Sequence, residues 1–158
     1  MIERIVSGGQ TGVDRAAHDT AIGLGMPCGG WCPKGRIAED GVIPDRYPLT
    51  ETPSSGYEER TEWNVRDSDA TLILTDLPAT GGTLYTIEAA RSIGKPYLVV
   101  DLGEAERDLS SMKDWVERVR VWLQAESVGI LNIAGPRESK RPGVQTGAVE
   151  LLRQMLEE

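Results

Sequence analysis

Two glycine-rich segments of the chain each follow a short apolar run and precede a helical pattern. The first, Ser7-Gly8-Gly9-Gln10-Thr11-Gly12, follows Ile5-Val6, and the second, residues 80–83, comes shortly after the apolar run 70–75. A strand, a glycine turn and the start of a helix together direct backbone N–H groups and the positive end of the helix dipole towards an anion. Each segment therefore predicts a turn that binds phosphate.

The candidate ligand-binding residues lie in these two turns and at neighbouring strand ends. Backbone amides would bind phosphate oxygens, and Lys34 and Arg137 would add positive charge. Asp14 lies in the first turn of a predicted helix, where the dipole favours a carboxylate, so capping is an alternative role for it. The full predicted set is Gly8, Gly9, Gln10, Thr11, Gly12, Asp14, Arg15, Lys34, Asp76, Gly81, Gly82, Thr83, Asn132 and Arg137.

The composition narrows the classes of partner. A length of 158 residues predicts a single domain over 1–158, and the net charge of −8 argues against nucleic acid, which needs a basic face. No apolar run is long enough to span a membrane, and no signal-peptide pattern is present, so we expect a cytoplasmic protein without a membrane partner.

The sequence predicts no metal site. Cys28 and Cys32 lack the second pair that a zinc site needs, and His18 is the only histidine. A single histidine argues against a Ser-His-Asp catalytic triad and against a histidine-rich metal centre. The position of His18 in the middle of a helical pattern predicts a partly exposed helix residue.

Alternation of apolar runs and helical patterns predicts an α/β fold with a parallel five-stranded sheet and helices on both faces, a three-layer sandwich. Right-handed crossovers favour the strand order 2-1-3-4-5. The carboxyl ends of parallel strands meet at one edge, so both glycine turns and the polar segment 132–139 should converge there. The predicted strands lie near residues 3–7, 28–32, 70–75, 97–101 and 129–134.

Residues 35–56 contain many glycines, prolines and serines and show no periodicity. A connection of this length in a small domain is usually functional or poorly ordered. Two interpretations stay open: a solvated loop, or a segment that folds over a ligand or against a partner subunit.

Two familiar phosphate motifs do not fit the first turn. A P-loop would need its second glycine where Val13 or Asp14 stands. The dinucleotide fingerprint fits at Gly9 and Gly12, but its first glycine is replaced by Ser7. The acidic residue expected after the second strand is replaced by Pro33-Lys34, so NAD is a minor alternative.

Four longer segments carry a family resemblance: SGGQTGVDRAA, GGWCPKGRIAEDG, RTEWNVRDSDATLIL and AGPRESKRPG. In these segments the chain resembles the molybdenum cofactor carrier family, over nearly its whole length. The resemblance implies a Rossmann-like fold, a homo-oligomer (dimer or tetramer) and a small phosphorylated heterocyclic ligand. The family's nominal ligand is molybdenum cofactor, held as cargo, with no other cofactor implied.

That family is related to the Lonely Guy-type, or lysine decarboxylase-like, nucleoside phosphate phosphoribohydrolases, whose motif P-G-G-x-G-T-x-x-E can be compared here. Gly81 and Gly82 match its glycine pair, Glu88 its glutamate, and Arg60 an arginine that precedes the central strand. The matching proline, third glycine, threonine and lysine are replaced by Thr80, Leu84, Tyr85 and Thr61.

The phosphoribohydrolase resemblance implies Arg60 and Glu88 as candidate catalytic residues for cleavage of an N-glycosidic bond. An arginine could orient the base or the phosphate, and a carboxylate could stabilise an oxocarbenium-like transition state. As an alternative, both residues are solvated helix residues or members of a surface ion pair. The sequence therefore leaves three functions open: a binding or carrier protein for a phosphorylated pterin or nucleotide, a hydrolase of N-glycosyl bonds, and a sensor of a nucleotide-derived signal within a larger assembly.

Overall fold

The computed structural model describes residues 1–157. Within them, the strands are Arg4–Val6 (β1), Cys28–Gly29 (β2), Trp31–Cys32 (β3), Ile37–Ala38 (β4), Gly41–Val42 (β5), Thr50–Glu51 (β6), Ala70–Thr75 (β7), Tyr97–Asp101 (β8) and Ile130–Ala134 (β9). The helices are Val13–Gly23 (α1), Tyr57–Arg66 (α2), Gly81–Ile93 (α3), Leu102–Ala105 (α4), Leu109–Ala125 (α5) and Val144–Leu156 (α6).

Five parallel strands form the central sheet in the order β2-β1-β9-β7-β8. Helices α2 and α3 pack together on one face, and α1, α5 and α6 pack on the other. This confirms the predicted α/β fold, a Rossmann-like three-layer sandwich. None of the helices within residues 1–157 is long and apolar enough to cross a membrane.

The observed strand order is close to the predicted 2-1-3-4-5 but differs in the place of the last strand. β9 lies between β1 and β7 and pairs with both, instead of forming an edge. Its Leu131 and Ile133 are fully buried, as expected for a central parallel strand covered on both faces. If β7, β8, β9, β1 and β2 are numbered 1 to 5 in that order, the sheet read from its β8 edge has the order 2-1-3-4-5. The predicted pattern is therefore present with a different starting strand.

This order places the topological switch point between β7 and β9. The chain leaves β7 towards α3 on one face and leaves β9 towards α6 on the other. In open α/β sheets, ligands bind beyond the carboxyl ends of the strands at such a point. A ligand site is therefore expected between the segments that follow Thr75 and Ala134.

The main core lies between the sheet and the helices α1, α5 and α6. Helix α6 buries one stripe, formed by Ala148, Leu151, Leu152 and Met155, at the spacing that the sequence predicts. Alanines on α1 and α6 allow the two helices to approach closely, so they contact each other along much of their length.

The predicted strand 28–32 is broken in two at Gly30. Gly30 has a φ of +129°, and a Cβ there would lie 2.4 Å from the carbonyl oxygen of Ser7. β2 stays in the main sheet, whereas β3 pairs with β6 in a separate two-stranded sheet. Cys28 and Cys32 are consequently in different sheets, and burial raises the pKa of both thiols.

Residues 35–56 are exposed for the most part, but a few buried side chains anchor the segment to the rest of the chain. Ile43 and Tyr47 form a small buried cluster with Cys32 and Ala38. The Arg36 guanidinium donates hydrogen bonds to four carbonyl oxygens of the segment, those of Ile43, Pro44, Tyr47 and Leu49. A turn in this segment, residues 39–40, reaches the start of α1.

Candidate ligand-binding cavity

A cavity of about 710 Å³ opens at the switch point, beyond the carboxyl ends of β7 and β9. The N-terminus of α3 forms one wall and helix α2 forms another. The segment after β9 and the turn after β1 complete the lining. The residues that line it are Gly8, Gln10, Asp14, Arg60, Thr61, Asn64, Thr75, Asp76, Pro78, Thr80, Gly81, Gly82, Thr83, Thr86, Asn132, Ile133, Ala134, Gly135, Pro136, Arg137, Lys140 and Arg141.

The N-terminus of α3 is open to this cavity. No side chain caps the helix, and the first backbone hydrogen bond runs from the N–H of Leu84 to the carbonyl of Thr80. In the described part of the chain, the N–H groups of residues 81–83 have no acceptor. A Cβ added at Gly81 or Gly82 would meet nothing within 4 Å. Three amides at the positive end of a helix dipole are therefore free to bind an anion.

The first glycine turn differs in part: the N–H groups of Ser7, Gln10 and Thr11 are bonded within the protein, whereas those of Gly8, Gly9 and Gly12 have no acceptor in the described residues. The N–H of Gln10 donates to Asp14 Oδ2 (3.1 Å), and that of Thr11 donates to the Gln10 side chain (3.0 Å). The N–H of Val13 donates to the carbonyl of Pro136 (3.2 Å). This turn joins α1 to the segment after β9 and supplies only part of the cavity wall.

Four cationic side chains line the cavity, although the protein as a whole is acidic: Arg60, Arg137, Lys140 and Arg141. Arg141 bridges Asp76 (2.6 Å) and Glu106 (2.9 Å), and these hydrogen bonds, the one to Glu106 foremost, raise its pKa. In residues 1–157 the Lys140 ammonium has no ion-pair partner, so it is available to a ligand. No group of three acidic, histidine or cysteine side chains in that range could hold a metal ion.

Arg60 is held in the cavity wall by a buried carboxylate. Its Nη1 donates to Asp14 Oδ2 at 3.3 Å, and both side chains are about nine-tenths buried. Gly8 makes room for this guanidinium, since a Cβ there would lie 1.8 Å from Nη1. The sequence predicted all three residues at the site without indicating that they contact each other.

The structure brings together part of the predicted set. Those that line the cavity are Gly8, Gln10, Asp14, Arg60, Asp76, Gly81, Gly82, Thr83, Asn132 and Arg137. Those that do not line it are Gly9, Thr11, Gly12, Arg15, Lys34 and Glu88. Lys34 is exposed elsewhere, Arg15 pairs with Asp40 (2.5 Å), and Gly9 lies against Leu49.

Glu88 does not line the cavity, whereas Arg60 does. It is exposed on α3, on the side of Tyr85, whose hydroxyl donates to Glu62 (2.9 Å). Thr86 lines the cavity, and a residue two positions along a helix is rotated by about 200°. The two candidate catalytic residues are therefore not brought together, and the geometry does not favour the hydrolase.

Sequence reasoning missed Lys140 and Arg141. Both lie in the segment Ala134-Gly-Pro-Arg-Glu-Ser-Lys-Arg-Pro-Gly143, directly after a strand that was placed at the edge of the sheet. The cluster of basic residues in this segment is the signal that could have found them. Of this basic cluster, the sequence predicted only Arg137 at the site.

His18 is fully buried, so the prediction of a partly exposed helix residue is wrong. Its Nε2 lies 3.3 Å from the carbonyl oxygen of Ser7, and its ring lies 5.7 Å from that of Tyr47. Burial lowers the pKa of His18, outweighing the opposite effects of Asp14, the Ser7 carbonyl and Asp19. The imidazole is consequently neutral in the folded protein at neutral pH.

The protein is expected to lose stability as the pH falls below 6.5, the ordinary pKa of histidine. The unfolded chain then binds a proton that the folded protein excludes, so unfolding is favoured until the lowered pKa of the folded state is reached. Urea unfolding of the wild type and His18→Gln, between about pH 5 and 7, should show a slope difference of at most about 1.4 kcal/mol per pH unit. Parallel profiles would show that His18 is not responsible.

Two comparisons place this geometry among known proteins. The model of the circularly permutated YpsA SLOG family matches residues 5–156. A crystal structure described as "Putative molybdenum carrier protein" from Syntrophus aciditrophicus has a TM-score of 0.92 and 44% sequence identity, covering 98% of this chain and 95% of that chain. No curated protein matches the sequence. The cyclic shift of the strand order agrees with a permuted fold, and the chain belongs to the circularly permutated YpsA SLOG family.

Proposed function

We propose that this protein binds a small phosphorylated heterocyclic ligand in the cavity between β7 and β9 and carries it without chemical change. The observation that carries the proposal is the open N-terminus of α3, which directs three unbonded amides into a cavity lined by four cations. A volume of about 710 Å³ is in the usual range for a small-molecule site.

The phosphate is assigned to the amides of residues 81–83, with Lys140 and Arg137 as counter-charges. A helix N-terminus and an unpaired ammonium both favour a dianion. The heterocycle then extends towards Gln10 and Arg60, which also line the cavity. Molybdenum cofactor, a pterin that carries a phosphate, is the cargo we propose, supported by the name of the structural relative from Syntrophus aciditrophicus.

Native mass spectrometry of the protein as purified tests this proposal. We expect a retained mass that is released on denaturation and contains phosphorus, and molybdenum if the cargo is the complete cofactor. The same spectrum reports the number of subunits, for which we propose a homodimer or homotetramer. Release of free base from nucleoside monophosphates, with no retained ligand, would overturn the carrier function.

A further inference from the structure

The strand β8 forms one edge of the central sheet, and within residues 1–157 it pairs with β7 alone. The N–H of Thr71 donates to the carbonyl of Pro96 (3.0 Å). Pro96 and every second residue after it therefore direct their backbone polar groups towards β7. The N–H and C=O of Tyr97 and Val99 and the N–H of Asp101 point away from β7 and have no partner in the described chain. Such a row of unpaired groups is a template for another strand.

The opposite edge of the sheet, β2, is protected by contrast. It has only two residues, and a Cβ at Gly29 would lie 3.4 Å from the carbonyl oxygen of Pro48, so a neighbouring segment covers part of it. β8 has five residues, and its positions 97–99 are half-buried and uncharged. Natural edge strands usually avoid pairing through a lysine, a proline, a bulge or a covering segment. β8 has no lysine, proline or bulge within its length, so its edge is open to a partner strand.

The charges beside β8 match a second copy of the same strand. Tyr97 packs against α3, and side chains alternate along a strand, so Val99 and Asp101 share that face of the sheet. Arg91 on α3 donates to the Tyr97 hydroxyl (2.8 Å). Neither Arg91 nor Asp101 has an ion-pair partner among residues 1–157. In an antiparallel pair of β8 strands centred on Val99, Tyr97 of one copy stands opposite Asp101 of the other, which brings each guanidinium beside a carboxylate of the second copy.

We infer that two copies of this protein pair through β8 in antiparallel orientation, with Val99 on the two-fold axis, and so form one continuous sheet. The two Val99 residues exchange both of their backbone hydrogen bonds, and the N–H of Asp101 donates to the carbonyl of Tyr97 across the axis. The pairs of Arg91 with Asp101 favour this register over one shifted by two residues. The inference assigns an interface to the proposed homo-oligomer. β8 does not line the cavity, so the interface and the ligand site are tested separately.

Val99→Pro tests the pairing by the mass of the assembly. Since the Val99 N–H is unbonded within one copy, proline removes no hydrogen bond there and is tolerated at such an edge position. It removes a donor at the two-fold axis, and its ring blocks the approach of the second strand. In native mass spectrometry we expect the mass to fall to half, from dimer to monomer or from tetramer to dimer. Val99→Thr keeps both the N–H and the branched side chain, and it should keep the wild-type mass.

Val99→Cys provides a second test, which does not depend on losing the assembly. Antiparallel residues that exchange both hydrogen bonds have Cα atoms about 5.5 Å apart, within the range of a disulfide. Air oxidation should link two copies of this variant, as seen on a non-reducing gel. Ile22→Cys is the matched control, because Ile22 is 45% exposed on α1, which packs against β1, β9 and β2. This variant and the wild type should stay unlinked.

A wild-type mass in Val99→Pro, or the absence of a link in Val99→Cys, would overturn the inference and leave the ligand site standing. If Val99→Pro loses the circular dichroism of the wild type, the cross-link decides. A monomeric wild type would overturn the interface and the proposed homo-oligomer together. Calorimetric titration of the wild type with inorganic phosphate tests the ligand site alone, and failure of phosphate to bind would overturn the proposed carrier function without touching the interface.

Discussion

Replacing Gly82 by aspartate should weaken binding of a phosphorylated ligand by about 100-fold, or about 2.7 kcal/mol. Gly82 lies in the first turn of α3, and its added side chain would meet no other group within 4 Å. A carboxylate there would bond the free amides and take the place of the phosphate. The same interaction should stabilise the helix, so the variant should fold at least as well as the wild type. Calorimetric titration with inorganic phosphate and with nucleoside monophosphates measures the loss.

Gly82→Ala is the matched control for this prediction. It adds a Cβ in the same open space and no charge, and alanine is favoured over glycine within a helix. Its affinity should stay close to that of the wild type. If Gly82→Asp and Gly82→Ala bind a nucleotide equally well, the phosphate does not lie at α3 and that assignment is wrong.

Replacing Gly12 by alanine should lower the free energy of unfolding by about 3 kcal/mol. Gly12 has a φ of +81°, and a Cβ there would lie 2.4 Å from the carbonyl oxygen of Pro136 and 2.8 Å from the N of Glu138. Both neighbours are backbone atoms, so the turn after β1 and the segment after β9 would have to separate. Urea unfolding monitored by tryptophan fluorescence gives the value.

Gly25→Ala separates the backbone strain from the close approach. Gly25 also has a positive φ, +68°, but a Cβ there meets nothing within 4 Å. It should cost only the conformational penalty of about 1 kcal/mol. An equal loss in the two variants would show that the contact between the turn and the segment after β9 contributes nothing to stability.

Gly12 and Gly82 illustrate the different roles of the two glycine turns. The turn at 7–12 contacts the segment that carries Arg137 and Lys140 through the close approach of Gly12 and the Thr11 hydroxyl, which accepts the N–H of Glu138, and so it positions part of the cavity. The turn at 80–83 lines the cavity and leaves the amides of residues 81–83 unbonded. Both are glycine-rich and both follow a strand, so their local patterns predict the same function.

The sequence by itself determined the layers of this protein and the edge of the sheet at which the site lies. Alternating apolar runs and amphipathic helices are local features, and local spacing is enough to predict an α/β sandwich and the place of Gly81 and Gly82 beyond the carboxyl end of a strand. The family resemblance rested on motifs that are also contiguous in sequence.

Only the tertiary structure decided which strand is central and which side chains line the cavity. Pairing of β9 with β1 and β7 is a long-range choice, and a cyclic shift of the chain leaves every local pattern unchanged. Three features depend on neighbours distant in sequence: the burial of His18, the exposure of Glu88, and the hydrogen bond from the Glu39 N–H to the Gln10 side chain. Spacing along one chain cannot predict such contacts, because the packing of other segments determines them.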